Sequence, residues 1–434
     1  MRNEQEAGTA MQAASHATRD YAYVRAKLLD REEIALLDVR EEAPHAEGHP
    51  LFAANFPLAR LELDAWAKLP RRDAPIVTFD NGEGLAEQAA ERLLALGYSD
   101  VAVFAGGLAA WKAAGGETFI DVNVPSKAFG ELMEAACHTP SFSAQEVKAM
   151  IDAGADMVVV DVRRFDEFQT MSIPTGVSVP GAEVVLRTPD LAPNPSTRII
   201  VNCAGRTRSL IGAQSLINAG LPNPVAALRN GAIGWLLAQQ QLEHGQSRSF
   251  GTTSAPSAEL AGRRARAVAD RAGVGRARKG DLSAWAEQQA RTTYCFDVRS
   301  FAEYERSHLP GFLPVPGGQL VQETEMYAPV RGARIVLVDD DGARANMTAS
   351  WLAQMAWETY VVDGLTAADF SAAGYPPEYV RARQTVTPIR RYQRPYEGVD
   401  ASPETMQAYL DWEFGLVGQL RRDGTHHFRP MPPP

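Results

Sequence analysis

Short apolar runs that end in the same three residues recur along the chain. ALLDVR ends at Arg40, VVVDVR ends at Arg163 and YCFDVR ends at Arg299. The runs are continuous and rich in β-branched residues, which is typical of strands buried on both faces of a parallel sheet. The pattern therefore predicts one buried strand in each of three regions of the chain.

A second apolar run follows each of the first runs at a constant distance. The second runs are PIVTFD, RIIVNC and RIVLVD, which end at Asp80, Cys203 and Asp339. In every region, 42 positions separate the aspartate of DVR from the last residue of the second run. The same spacing in three places indicates an internal repeat.

Each region continues with a helical stretch and then a third apolar run. The helical stretches are LAEQAAERLLALG, SLIGAQSLINAG and ANMTASWLAQMAW, and the third runs are VAVFAGG, VAALRNG and YVVDG. Strand–helix–strand alternation predicts the α/β class, here as three tandem domains that each have a parallel sheet flanked by helices. One large doubly wound domain is the alternative, and the triplicated spacing argues against it.

The segments between the repeats complete a division into five parts. HGQSRSFGTTSAPSAE is rich in Ser, Gly and Thr and predicts a flexible linker, and the basic helical stretch ELAGRRARAVADRAGV follows it. The predicted parts are a first domain at 17–125, a second domain at 139–245, a linker and basic helix at 246–278, a third domain at 279–375 and a C-terminal extension at 376–434.

A helix is predicted in the C-terminal extension. Ser402 is its N-cap and Pro403 its first helical residue, ahead of ETMQAYLDWEFGLVGQL. Its apolar residues predict docking either within the chain or on a second copy in a homo-oligomer, and we favour docking within the chain. These residues are Met406, Tyr409, Leu410, Phe414, Leu416, Val417 and Leu420.

Composition and charge exclude several classes of function. The 434 residues include 43 Lys and Arg against 53 Asp and Glu, a formal net charge of −10. This acidic balance predicts no nucleic-acid partner and no membrane-surface role. Three cysteines cannot form a disulfide framework, the first residues lack an apolar core of signal-peptide length, and no run of about 18 apolar residues exists. We therefore expect a cytoplasmic protein.

The loop after the second apolar run of the middle region carries the candidate chemistry. Cys203 ends that strand, and VNCAGRTRS places Gly205, Arg206 and Arg208 before a helical stretch. In a parallel sheet, ligands bind beyond the carboxyl ends of strands. Backbone N–H groups of this loop at a helix N-terminus, with two arginines, predict a lowered pKa for Cys203 and a thiolate nucleophile at neutral pH. The hypothesis requires a sulfur that solvent reaches.

This loop and its surroundings resemble the rhodanese homology family of sulfurtransferases. The resemblance lies in DVR at 161–163, IIVNCAGRTRS at 199–209 and LRNGAIGW at 228–235, and it extends over all three repeats. It implies that Cys203 takes a sulfane sulfur from an anionic donor such as thiosulfate or a mercapto acid and holds it as a persulfide. A thiol, a protein cysteine or cyanide then accepts the sulfur, and no metal, nucleotide or flavin takes part. The substrate-binding residues that it implies are Ala204, Gly205, Arg206, Thr207, Arg208 and Ser209.

The other two regions lack the nucleophile. Asp80 and Asp339 stand at the position of Cys203, and an aspartate cannot form a persulfide. Their carboxylates are expected in or near the amide nest where a substrate anion would bind, so the first and third domains are predicted to be inactive. The aspartates of DVR recur in all three regions, which predicts a structural role such as pairing with a basic residue.

Two other functions are alternatives to sulfur transfer, and the two other cysteines are expected to play no part in it. Phosphatases and arsenate reductases use a similar loop, but the spacing here is Cys-x4-Arg rather than Cys-x5-Arg, which suits a single sulfur better than a tetrahedral oxyanion. A persulfide carrier or regulatory scaffold without turnover of small molecules is the other alternative. Cys295 is expected in the core, and Cys137 is expected to be a plain surface thiol rather than a resolving cysteine.

Overall fold

The computed structural model describes residues 16–288, 290–371, 391–395, 397 and 401–432. These residues form three sheets in chain order, and each sheet centres on the two strands that the repeated apolar runs predict. Within the described residues, no helix is both long enough and apolar enough to cross a membrane. The three-domain α/β architecture predicted from the repeat is therefore present.

The first domain has a sheet of strand order β1-β5-β4-β2, with β3 also paired to β2. All of these pairs are parallel, and helices cover both faces as the strand–helix alternation predicts. Its elements are β1 (Ala17–Arg19), α1 (Tyr21–Leu29), β2 (Ile34–Asp38), α2 (Glu42–Ala46), β3 (Ala54–Asn55), α3 (Leu61–Lys68), β4 (Ile76–Phe79), α4 (Leu85–Ala95), β5 (Val101–Phe104) and α5 (Gly107–Ala113).

The second domain follows a connecting helix, α6 (Val124–Cys137), and repeats the same order as β6-β10-β9-β7-β8, all parallel. Its elements are β6 (Ser141–Phe142), α7 (Ala144–Asp152), β7 (Met157–Asp161), α8 (Phe165–Thr170), β8 (Val177–Ser178), α9 (Val184–Leu191), β9 (Arg198–Asn202), α10 (Thr207–Asn218), β10 (Val225–Leu228) and α11 (Gly231–Leu237).

The third domain has the order β11-β16-β15-β12-β13, again parallel. A helix, α12 (Ala255–Arg271), precedes it. Its elements are β11 (Gly275–Ala277), α13 (Lys279–Glu287), β12 (Thr293–Asp297), α14 (Phe301–Arg306), β13 (Leu313–Pro314), α15 (Gly317–Gln322), α16 (Thr324–Tyr327), β14 (Val330–Arg331), β15 (Arg334–Val338), α17 (Arg344–Gln354) and β16 (Glu358–Val362).

Two features of the third domain differ from the predicted boundaries. Its first strand, Gly275–Ala277, pairs with β16 and so lies before the expected start at 279. The short strand β14 lies in the third domain along the chain but joins the sheet of the first domain. It pairs antiparallel with β2, with Val330 opposite Ala35. The helix predicted at 246–278 is present as α12, and it packs on α17 and α9. The domains therefore share strands and helices across their borders.

The Asp-Val-Arg repeat has the structural role that its recurrence predicts. In the second domain, Asp161 accepts hydrogen bonds from the backbone N–H of Arg163 (3.1 Å) and from its guanidinium (2.9 and 2.7 Å). That guanidinium also donates to the carbonyl of Met171. Asp38 with Arg40 and Asp297 with Arg299 repeat the arrangement. Each pair is buried, and it ties the end of the strand to the loop after the next helix.

The C-terminal helix, α18 (Pro403–Asp423), is capped as predicted. The Ser402 hydroxyl accepts a hydrogen bond from the N–H of Thr405, and Gly424 ends the helix in the left-handed region at φ 69°. The helix packs on α6 and α11 of its own chain, which is the docking that we favoured. Residues 376–390 of the predicted extension lie outside the described part of the chain.

Candidate active site

Cys203 stands where the sequence places it, between β9 and the start of α10 at Thr207. The carbonyls of Cys203 and Ala204 accept hydrogen bonds (2.9 Å each) from the N–H groups of Ala232 and Ile233 at the start of α11. Gly231 has φ 53°, and a Cβ there would lie 2.4 Å from the Cys203 carbonyl oxygen. Only glycine allows this approach, which explains the Asn-Gly before α11.

The loops of the first and third domains show what the loop amides bind. Asp80 accepts hydrogen bonds from the N–H groups of Gly82 (2.9 Å), Leu85 (2.6 Å) and Ala86 (3.1 Å). Asp339 accepts them from the N–H groups of Gly342 (3.1 Å) and Ala345 (2.8 Å). Both carboxylates therefore occupy the nest of their own loop, as expected. By the repeat, the equivalent N–H groups in the second domain belong to Gly205, Arg206, Arg208 and Ser209.

The Cys203 thiol lies in the matching nest but is 1% exposed. Burial raises its pKa above the ordinary value, although the charge of Arg208 and hydrogen bonds from the hydroxyl and N–H of Ser209 act in the opposite direction. The negative charge of Glu413, when that carboxyl group is ionised, raises the pKa of Cys203 further. The expectation of a lowered pKa is wrong in this closed conformation, because it counted the dipoles and charges but not the loss of water.

Arg206 does not point its charge at the sulfur. Its guanidinium donates to Glu131 of α6 at 2.8 and 3.0 Å, is ion-paired with Glu134, and lies 3.9 Å from the ring centre of Phe414. Asn230 accepts a further hydrogen bond at 3.1 Å. Arg206 is 4% exposed, so in this geometry its guanidinium faces the carboxylates of α6 rather than the cavity beside the sulfur. Its role in this geometry is to fasten the loop to α6 and α18.

Arg208 is also bound to a carboxylate. It donates two hydrogen bonds, of 2.8 and 2.9 Å, to Glu167 of α8. Burial opposes ionisation of Glu167, but the charge and hydrogen bonds of Arg208 hold the pKa of that carboxyl well below its usual range. In the third domain Arg344 binds Glu303 in the same way, at 2.7 and 3.2 Å. This arginine therefore braces the loop, and its charge still favours a thiolate at Cys203.

Sequence reasoning missed three side chains from outside the second domain. Lys127 of α6 and Tyr409 and Glu413 of α18 line a cavity of about 20 Å³ together with Cys203. Such a cavity holds one water-sized group. A signal existed for Glu413, because it lies on the same helical stripe as Met406, Leu410, Leu416 and Leu420 and yet is charged. No comparable signal existed for Lys127, which lies in the connector before the second domain.

Gly205 is needed for contact with α18 rather than for a turn. Its φ is not positive, so a left-handed backbone is not the reason for a glycine here. A Cβ on Gly205 would lie 3.1 Å from Oε2 of Glu413 and 3.3 Å from the Tyr409 ring. Thr207 also reaches this helix, since its hydroxyl lies 3.5 Å from Oε1 of Glu413. The loop and α18 are thus packed directly against each other.

A second and larger cavity, of about 570 Å³, lies between the three domains. It shares four lining residues with the small cavity: Ser126, Thr207, Arg208 and Gln322. Its walls are mainly apolar and include Ile211 and Trp351. Open space therefore reaches the Arg208 side of the loop from the centre of the molecule.

The two other cysteines and the aspartates of the third loop lie in packed or hydrogen-bonded surroundings. Burial raises the pKa of Cys295 to about 12, and its side chain packs beside the core of the third domain. Cys137 is half-buried, its pKa is raised by burial, and its thiol donates to the carbonyl of Met431 at 3.3 Å. In the third loop, Asp340 binds Arg344 and Arg299, while Asp341 binds backbone N–H groups and Arg344. Among the described residues, no group of His, Cys, Asp and Glu could hold a metal ion.

Comparison with known proteins agrees with this geometry. Residues 22–114, 143–238 and 280–367, well over half of the chain, match the family model of the rhodanese-like domain. The chain is 51% identical to the crystal structure of thiosulfate sulfurtransferase from Pseudomonas aeruginosa, with a TM-score of 0.91 over 95% of this chain and 99% of that chain. The crystal structure of the Alr3790 protein from Anabaena sp. is 30% identical over 24% of this chain and 93% of that chain, with a TM-score of 0.23. No curated protein sequence shows significant similarity.

Proposed function

The chain belongs to the rhodanese-like family of sulfurtransferases, and we propose that it moves a sulfane sulfur from thiosulfate or a similar anionic donor to a thiol or cyanide through a persulfide on Cys203. The supporting comparison is the 51% identity to thiosulfate sulfurtransferase from Pseudomonas aeruginosa over nearly the whole of both chains. The observation that carries the assignment of the nucleophile is the position of Cys203 in the nest that Asp80 and Asp339 fill in the other domains.

The first half-reaction loads the enzyme. The sulfur of Cys203 attacks the outer sulfur of thiosulfate, a new S–S bond forms, and the S–S bond of the donor breaks. The electron pair of that bond leaves with sulfite, and the proton of the thiol ends on sulfite as hydrogensulfite. The N–H groups of Gly205, Arg206, Arg208 and Ser209 hold the negative outer sulfur, as the equivalent groups hold the carboxylates of Asp80 and Asp339 in the other two loops.

The second half-reaction unloads the enzyme. An acceptor thiolate or cyanide attacks the outer sulfur of the persulfide, and the bond between the outer sulfur and Sγ breaks. The electron pair returns to Sγ, so no oxidant, reductant or metal takes part. Two separate steps with one loaded intermediate produce ping-pong kinetics. The small cavity beside Cys203 has room for one atom-sized group, which suits the storage of a single sulfur.

Access to the sulfur requires movement. Cys203 is 1% exposed, and Tyr409 and Glu413 of α18 cover the loop. Donor and acceptor therefore reach the thiol when α18 and the loop separate, or through the larger cavity on the Arg208 side. Opening also readmits water, which removes the burial that raises the pKa of Cys203. The thiolate forms most readily in the open state.

The first and third domains are silent in this proposal. Their loops are already filled by their own carboxylates, which are 5% and 9% exposed at Asp80 and Asp339. A donor anion would have to displace a charge that is covalently part of the loop. Their contribution is to build the walls around the second domain, since the larger cavity has lining residues from all three domains.

Mass spectrometry of the intact protein tests the proposal. Wild type treated with thiosulfate or 3-mercaptopyruvate should gain about 32 Da, the mass of one sulfur atom, and Cys203→Ser should gain nothing. Added cyanide should remove the extra mass. Turnover of phosphate esters without a sulfur adduct would favour a phosphatase instead. A stable adduct that neither cyanide nor small thiols remove would favour a persulfide carrier.

A further inference from the structure

An acid stands in the middle of the apolar face of α18. The residues that this helix buries include Met406, Leu410, Leu416 and Leu420, and Glu413 lies among them at 1% exposure. A carboxylate in such a place is costly unless a partner or a ligand compensates for the lost water. The role of Glu413 therefore depends on the groups that its carboxyl oxygens face.

One oxygen of Glu413 has partners and the other has none. Oε1 lies 3.2 Å from the Tyr409 hydroxyl and 3.5 Å from the Thr207 hydroxyl, which both donate. Oε2 is buried and makes no hydrogen bond within the described part of the chain. Its position against Gly205, where a Cβ would be 3.1 Å away, directs it at the loop that carries Cys203. Glu413 and Cys203 line the same small cavity.

Lys127 reaches the same cavity from α6. Its side chain is 5% exposed, and Nζ lies 5.3 Å from the ring centres of both Tyr409 and Trp412. Nζ is ion-paired with Oδ2 of Asp121 at 2.9 Å, and within the described residues it donates to no other oxygen. An ammonium has three N–H donors, so those that do not face Asp121 remain available to a ligand in the cavity.

The guanidinium groups of the two loop arginines are bound to carboxylates and do not point at a ligand beside Cys203. Arg206 is held by Glu131 and Glu134, and Arg208 is held by Glu167. An anionic donor that enters beside Cys203 meets backbone N–H groups on one side and the pair formed by Lys127 and Glu413 on the other.

We propose that Lys127 and Glu413 form the anion-binding side of the active site, where the ammonium neutralises the oxyanion head of the sulfur donor and the carboxylic acid donates a hydrogen bond to it. This inference rests on the proposed function and names the donor class as a small dianion with an oxyanion head next to its sulfur. Both residues lie outside the second domain, so the connector and the C-terminal extension complete its active site.

The protonation of Glu413 agrees with this role. Burial raises the pKa of Glu413 to about 8, while the charges of Lys127 and Arg206 and the hydrogen bond from Tyr409 oppose the rise and Glu131 adds to it. Cys203 also faces it, and burial lowers the pKa of Lys127, whose ion pair with Asp121 opposes that fall. At neutral pH Glu413 is therefore a neutral hydrogen-bond donor. Above about pH 8 it becomes a carboxylate and repels an anion.

Equilibrium binding in the Cys203→Ser background tests the pair without any sulfur transfer. Calorimetry with thiosulfate should show binding to C203S that weakens about tenfold between about pH 7 and pH 9, as Glu413 ionises. C203S/E413Q keeps the size and a donor N–H but cannot ionise, so its affinity should change less than about threefold over that range. C203S/K127Q should bind about 10- to 100-fold more weakly at neutral pH.

Two controls separate this result from a loss of fold and from failure of the sulfurtransferase proposal. Lys148→Gln removes an exposed lysine that pairs with Asp152, and C203S/K148Q should bind like C203S. Thermal unfolding of each variant reports the fold. The inference is overturned if E413Q keeps the full pH dependence, or if a folded K127Q variant binds as tightly as C203S. Sulfur loading of Cys203 is measured separately by mass, so either proposal can fail without the other.

Discussion

Arg208 donates two hydrogen bonds, of 2.8 and 2.9 Å, to Glu167 in the second domain. The third domain repeats the pair as Arg344 with Glu303, although its loop has no cysteine. A pair that is present both in the loop with a cysteine and in the loop without one stabilises the loop structure itself. The pair therefore positions the backbone around the nest, and under the proposed function that position matters for the chemistry of the second domain.

The two pairs provide a matched set of variants. Glu167→Gln should lower the rate of sulfur loading about 10- to 100-fold, because small misplacement of the nest is costly to the reacting geometry. Glu303→Gln removes the equivalent partner in the third domain and should leave the loading rate within about twofold of wild type. The rates are measured by the time course of the sulfur adduct. Equal loss in both variants would contradict a local role for Glu167.

The pH dependence of stability follows from the same carboxylates. Burial opposes ionisation of Glu303, but hydrogen bonds and charge from Arg344 lower its pKa to about 2. A group whose pKa is lowered on folding stabilises the protein above its unfolded pKa of about 4.3, and the stabilisation is lost as pH falls toward the folded value. The free energy of unfolding of wild type should thus exceed that of E303Q by about 1–3 kcal/mol at neutral pH. Urea denaturation should show the gap shrinking between about pH 4.5 and pH 2.

A cysteine in the first loop should not create a second active site. In D80C/C203S the new thiol stands in the nest of the first domain, but the loop has no arginine, and Glu83 binds the N–H of Asn81 at 2.6 Å. The negative charge of Glu83 opposes both a thiolate and an anionic donor. We expect no sulfur adduct after treatment with thiosulfate. An adduct in D80C/C203S, with none in C203S, would show that the nest alone is sufficient.

Two glycine substitutions with opposite expected effects on stability test the contact between the loop and α18. Gly205→Ala places a methyl group 3.1 Å from Glu413 and should destabilise the docked helix by about 1–3 kcal/mol. Gly415→Ala lies on the exposed side of the same helix with nothing within 4 Å, and it should stabilise the helix by about 0.5–1 kcal/mol. Limited proteolysis of the C-terminal segment and thermal unfolding measure both. A neutral G205A variant would mean that the loop and the helix are not packed tightly in solution.

The sequence alone determined the repeat, the strands and the place of the proposed nucleophile. The apolar runs before Arg40, Arg163 and Arg299 and their constant spacing are local patterns, and the strands β2, β7 and β12 occur there because buried parallel strands need continuous apolar segments. The roles of Asp80 and Asp339 could also be predicted, since a carboxylate next to free N–H groups at a helix N-terminus binds them within its own loop.

Only the tertiary structure decided the state and the surroundings of the sulfur. Glu131 binds Arg206 although the two residues are 75 positions apart in the chain, and Glu413 approaches Thr207 from 206 positions away. The burial of Cys203 results from this packing of distant segments on the loop. Lys127 likewise enters the site from a helix that precedes the second domain. Desolvation and pairing of charges depend on such distances in space, which neither periodicity nor local spacing encodes. The chemistry of the loop could therefore be predicted from its own residues. The burial of Cys203, and with it the raised pKa of the thiol, depends on α18, which covers the loop.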